Sequence, residues 1–204
     1  MVDSALEQFV RARLPPPPAR VLEVGAGSGD LARLLGDLGY EVVAIDPSGE
    51  GDVLPVALLE IDAPAGSFDA AVAVVSLHHV EPLEDSCRRL AEVMRPGGTL
   101  VVDEFDVERF DEAAAEWLLE QWRAVGRDGA HEPGEMVYGI RSHLHPVRVI
   151  AEALDPWFDL GPVVRGSYLH RWHLSEEFKP AEEALISEGR LPEIGARIVG
   201  TRRI

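Results

Sequence analysis

The stretch VLEVGAGSGDLA, residues 21–32, decides the fold. An apolar run, Val21 to Val24, gives way to glycines at 25, 27 and 29. DLARLLGDL (residues 30–38) then follows with helical spacing. Strand, glycine turn and helix within a dozen residues form half of a βαβ unit. The glycines permit a tight turn and let a ligand lie against bare backbone. Their spacing is G-x-G-x-G, and Asp30 stands where a dinucleotide site expects glycine or alanine. An acid, Glu23, precedes the first glycine by two residues.

Working outward, further apolar runs predict strands at EVVAI (41–45), FDAAVAVV (68–75) and TLVVD (99–103). Residues 53–61 predict a weaker strand, broken by Pro55. Residues 82–94 predict a helix, and Pro96-Gly97-Gly98 a turn. The strands are apolar runs rather than alternations, the pattern of a parallel sheet covered on both faces. The element order implies right-handed crossovers and a doubly wound α/β sheet. Upstream, residues 4–14 predict a short amphipathic helix and the four prolines at 15–18 a stiff spacer. Downstream, helices are expected at 111–125 and 142–154, the latter with Pro146 in its first turns. A loop rich in Gly and charge is expected at 126–139, and strands at 157–164 and 196–201. Ser175 is expected to cap a helix ending at Gly189.

Composition bounds the partners. The 204 residues suit a single domain, read as an N-terminal helix and spacer (1–19), a binding half (20–105) and a second half of helices and late strands (106–204). The net charge of −17 repels nucleic acid and anionic membrane. One cysteine, Cys87, excludes an internal disulfide. No apolar stretch approaches the ~20 residues of a spanning helix. MVDSALEQFV has neither a basic n-region nor an apolar h-region, so a cytoplasmic location is expected.

The next landmark is Asp46, closing EVVAID and lying 17 residues beyond Gly29. A carboxylate there offers two oxygens to the two hydroxyls of a ribose. The glycines and Asp46 fall on neighbouring strand ends, where open α/β sheets bind ligands.

EVGAGSG (23–29), AIDPS (44–48), SFDAAVAVVSLHHV (67–80) and RPGGTLVV (95–102) together resemble class I S-adenosylmethionine-dependent methyltransferases. The nearest likeness is to the small-molecule group called methyltransferase type 11. The resemblance covers roughly residues 20–105. It implies a Rossmann-like, mostly parallel seven-stranded sheet in an α/β/α sandwich, with an antiparallel last strand. It also implies S-adenosylmethionine as cofactor and methyl transfer to an O, N, S or C nucleophile of a small molecule. Gly25, Ala26 and Gly27 match the loop against the methionine part of the cofactor, and Glu23 the acid that holds its amino group. Asp46 matches the ribose acid, with Pro47 beside the adenine. Ser76 and Leu77 match the strand end near the sulfonium. Asp62 is the candidate for the adenine amine, although the family usually places that acid further upstream of Phe68. The Asn-Pro-Pro-Tyr signature of amino-methylating nucleic-acid enzymes is absent after Val75, where the chain reads Ser76-Leu77-His78-His79.

His79, at the mouth of the expected site, is the candidate general base. His143 with His145, and His170 with His173, have metal-ligand spacing, but no cysteine cluster accompanies them and no metal is expected. The acceptor pocket is expected from the first helix, residues 104–145 and residues 168–173, with 126–139 as a lid. The expected partner is a small-molecule acceptor, and the chain itself a monomer or homodimer. Two other readings compete: a non-catalytic module that binds S-adenosylmethionine, and an NAD-dependent oxidoreductase.

Overall fold

The computed structural model describes residues 4–127 and 131–204. They group into two compact units. One holds the residues up to Glu104 with Arg148–Val163 and Arg197–Ile204; the other holds Phe105–Val147 and Val164–Ala196.

In the first unit, β1 (Arg20–Val24) lies between β2 (Glu41–Ile45) and β4 (Phe68–Val74), parallel to both. Leu22 is registered against Val43 on one side and Ala71 on the other. The edge strand β3 (Val53–Leu54) pairs with β2, and β5 (Met94–Phe105) continues the sheet beyond β4. The late strands are β6 (Phe158–Leu160), β7 (Val164–Gly166) and β8 (Gly195–Arg202). The hydrogen-bonded order is β3-β2-β1-β4-β5-β8-β6, with β7 paired to β8 off this path. β8 runs antiparallel to β6, Phe158 facing Arg202. The seven strands of the path and the antiparallel final strand match the expected fold.

Helix α1 (Ser4–Arg11) and helix α2 (Asp30–Asp37) cover the sheet. Leu6 and Val10 of α1, Leu14 just beyond it, and Leu31 and Leu35 of α2 pack against Val21, Ala70, Val72 and Val101. Each such buried Leu or Val side chain contributes roughly 1.5–3 kcal/mol. Helix α3 (Leu83–Val93) buries Leu83, Ser86, Cys87, Leu90 and Ala91, a stripe at helical spacing. Burial pushes the Cys87 thiol up to about 12, so it stays protonated.

Several expected boundaries move. After Val53 and Leu54 the predicted strand 53–61 gives way to a 3-10 turn over Leu58–Glu60, because Pro55 offers no amide to a ladder. β5 starts at Met94, and the Pro96-Gly97-Gly98 segment is absorbed as a register shift opposite Phe68–Ala70, with Gly97 at φ 78°.

In the second unit, α4 (Glu112–Ala124) is N-capped by Asp111, whose Oδ1 accepts from the Ala114 amide at 2.9 Å. The loop expected at 126–139 is shorter than that: residues from 133 onward belong to helix α5 (Pro133–His143), opened by proline, while 128–130 lie outside the described residues. The expected helix at 142–154 is therefore divided. Ser142 and His143 close α5, and α6 (Val147–Leu154) begins only after Pro146. Ser175 opens a 3-10 turn (Glu176–Phe178) and bonds Glu177 rather than capping a helix; α7 (Lys179–Ser187) starts at Lys179. Among the described residues no helix is long and apolar enough to cross a membrane.

Candidate active site

The carboxyl ends of β1, β2 and β4 open onto a cavity of about 540 Å³. Its wall is drawn from Val24 and Gly25, from 45–48, from 56–58, from Val75, Ser76 and 79–81, and from Ser86 on α3. This is the position where parallel sheets bind ligands.

The glycine turn is built for close approach. Gly25 takes φ 70°, and a Cβ there would lie 2.3 Å from Ser76 Cβ, so only glycine lets the ends of β1 and β4 meet. The Gly25 and Ala26 amides both donate to Ile45 O, at 2.8 and 3.0 Å, tying the turn to β2. Asp46 closes the arrangement. Its Oδ2 accepts from the Gly27 amide at 3.0 Å and its Oδ1 from the Ser48 amide at 2.8 Å. The carboxylate is thereby fixed, with lone pairs left on both oxygens for a further pair of donors. Pro47 lies beside it in the wall.

Glu23 is 4% exposed on β1, and its Oε2 has no hydrogen-bond partner among the described residues. Burial pushes its carboxyl up to about 7, a rise that the Ala32 amide only partly offsets. An orphaned carboxyl beside a glycine turn suits a cationic ligand group, which would return it to the charged form.

Beyond β4 the chain is held under strain. Val75, β-branched, takes φ 51°. Glu104 at the end of β5, 1% exposed, secures the next three residues. Its Oε1 accepts from the Ser76 amide at 2.9 Å and the Leu77 amide at 2.7 Å. Its Oε2 meets His78 Nδ1 at 2.6 Å. The turn so pinned presents Ser76 and His79 to the cavity, while Leu77 is fully buried. The His79 ring is exposed, and partial burial together with the neighbouring His78 lowers its pKa, so it is neutral at pH 7 and able to accept a proton.

The second unit repeats the device. Glu182, fully buried on α7, accepts from the Tyr168 and Leu169 amides through Oε1 at 2.6 and 2.8 Å, and meets His170 Nδ1 through Oε2 at 2.7 Å. Ser76-Leu77-His78 and Tyr168-Leu169-His170 are thus two turns of one design, each entered through an extended φ near −140°. The second is followed by Trp172, whose ring lies near those of Phe105, Phe110 and Trp122.

Of the residues singled out from the sequence, Gly25, Asp46, Pro47, Ser76 and His79 share the cavity wall. Gly27 supports Asp46 from outside it, Ala26 and Leu77 supply backbone, and Glu23 is buried on β1 outside the wall. Asp62 is exposed and lies outside the wall, whose corresponding part is the apolar 56–58. Among the described residues no group of three or more His, Cys, Asp or Glu side chains is placed to hold a metal. Glu104 and Ser86 escape a reading of the sequence. The only signal for Glu104 is a charge pair, Asp103-Glu104, closing an apolar strand.

The fold and the strand-end cavity place the chain among α/β proteins of the Rossmann-like class. A family model described as a methyltransferase domain matches residues 2–136, and the chain belongs to that family. It is 37% identical over 127 residues to an uncharacterized methyltransferase of Mycobacterium tuberculosis, covering 57% of this chain and 50% of that one. It is 36% identical over 111 residues to a ubiquinone biosynthesis O-methyltransferase of Xanthomonas axonopodis, covering 46% of each. The chain thus spans about half the length of these relatives. Among solved structures it resembles a Burkholderia thailandensis 1,6-didemethyltoxoflavin-N1-methyltransferase with bound substrate and S-adenosylhomocysteine. The TM-score is 0.58 at 17% identity, over 98% of this chain and 76% of that one.

Proposed function

We propose that this protein transfers the methyl group of S-adenosylmethionine to a nucleophilic atom of a small molecule. The observation that carries the reading is the fixed Asp46 carboxylate beside the bare Gly25 turn, both in one strand-end cavity. The residues fit the donor. Asp46 offers its remaining lone pairs to the ribose hydroxyls, and Pro47 lies beside the base. Glu23 faces the amino group of the methionine part, which relieves its orphaned oxygen. The Gly25–Ser76 contact leaves bare backbone for the chain that carries the sulfur.

The donor supplies an already activated, electrophilic methyl carbon. The protein's remaining task is to align the nucleophile with that carbon and exclude water. His79, neutral at pH 7, accepts the proton of a hydroxyl acceptor as its oxygen attacks. The negative net charge disfavours polyanionic acceptors, consistent with a small molecule. The ubiquinone and toxoflavin enzymes named above act on small acceptors, which supports the same class.

The test has two stages. Titration with S-adenosylhomocysteine should show binding that Asp46→Ala abolishes. Incubation with isotopically labelled donor and a metabolite extract, followed by mass spectrometry, should then reveal a labelled product. Stabilisation by NADH with none by S-adenosylhomocysteine would refute the reading.

A further inference from the structure

We propose that Ser86 reads the base of the bound nucleoside, its hydroxyl accepting a hydrogen bond from the exocyclic amine of adenine. This rests on the methyl-donor reading above and assigns it a specificity residue.

Ser86 belongs to the buried stripe of α3, in register with Leu83, Cys87, Leu90 and Ala91. It is 1% exposed, and its Oγ has no hydrogen-bond partner among the described residues. Its amide donates to Pro82 O at 3.1 Å, so the backbone is satisfied and only the hydroxyl is left over. A purely structural stripe would favour alanine here, because an unsatisfied buried hydroxyl opposes folding. The same residue lines the cavity.

Of the other polar groups of the wall, Asp46 is committed to the sugar. Ser76 Oγ is also buried without a hydrogen-bond partner among the described residues, but it lies over the glycine turn, 3.1 Å from where a Cβ of Gly25 would be, on the side given above to the methionine part. Ser48, His79 and Glu81 are exposed. Ile45, Pro47, Val56, Ala57, Leu58 and Val80 give the base apolar walls but no side-chain polar partner. Asp62, the acid expected to meet the amine, lies outside the wall. A desolvated hydroxyl with no other partner is the kind of group that discriminates strongly between a ligand that bonds it and one that cannot.

The experiment is a cycle of two proteins and two ligands, read by calorimetry. The ligands are S-adenosylhomocysteine and its analogue with unsubstituted purine in place of adenine. The unsubstituted protein is expected to favour the adenine ligand about tenfold. Ser86→Ala should lose that preference, binding the adenine ligand about tenfold more weakly and the purine ligand unchanged. It should unfold at the same or a higher temperature without ligand, and Ser86→Cys, a poorer hydrogen-bonding group of similar size, should fall between. Equal affinity of Ser86→Ala and the unsubstituted protein for both ligands, or an equal loss for both, would overturn the assignment while leaving the methyl-donor reading intact. Failure of the unsubstituted protein to bind S-adenosylhomocysteine would overturn both, at the earlier step.

Discussion

Gly25 and Ser76 are in contact across the ends of β1 and β4 with no room for a single added carbon. A Cβ on Gly25 would lie 2.3 Å from that of Ser76. Gly25→Ala must therefore push β1 and β4 apart and hold alanine at φ 70°. The expected cost is about 2–3 kcal/mol of stability, with loss of S-adenosylhomocysteine binding. Adding Ser76→Gly relieves the collision but not the backbone strain, so thermal unfolding should recover only incompletely.

Glu23 makes donor binding depend on pH. In the free protein its carboxyl titrates near 7 rather than 4.5. A raised folded pKa favours the protonated native state. The contribution, on the order of 3 kcal/mol, is fully present below about pH 4.5 and is lost as pH rises through about 7. A cationic amine needs the ionised carboxylate, so affinity for S-adenosylhomocysteine should rise about tenfold per pH unit below 7 and level off above it. Glu23→Gln should flatten that profile, weaken binding at pH 8 and raise the unfolding temperature there. Calorimetry and thermal melts across pH 5–8 separate the effects.

His79 has a lowered pKa, set first by burial and then by His78. For a hydroxyl acceptor, turnover should rise with pH, with its half-maximal point below the usual 6.5 of histidine. His79→Ala should cut kcat by roughly 10²-fold or more and leave donor affinity within about twofold. Unaltered turnover in that variant, measured on the acceptor found by isotope labelling, would remove His79 from the reaction.

Glu182 tests the repeated turn. Burial opposes its charge, yet bonds from the His170 ring and the amides of His170, Tyr168 and Leu169 hold its carboxyl below the usual range. That depressed pKa gives stability present above about 4.5 and lost as pH falls through the lower folded value. Glu182→Ala leaves three amides and a ring without an acceptor, and should cost about 3 kcal/mol or more. Its denaturant midpoint should depend less on acid than that of the unsubstituted protein.

The glycine turn and Asp46 are legible because strand, turn and helix follow one another in the sequence, and local periodicity carries them. The turn from Ser76 to His79 is legible as a place but not as a structure. The acid that holds it is 28 residues from Ser76 and speaks only through the folded sheet. Helix α5 escapes the periodicity because it buries no residue fully and carries two glycines, so its sequence looks like a loop. Pro55 is recognisable as a breaker. Its consequence, that 56–58 rather than Asp62 forms the wall, requires the 3-10 turn beyond it.

The state of Cys87 has a practical use. A thiol that ionises only near pH 12, on the buried face of a helix, is nearly inert to maleimides and mild oxidants at neutral pH. A cysteine introduced on the surface would then be the sole reactive handle, and fluorophores or spin labels could be attached to this protein without first removing the native sulfur.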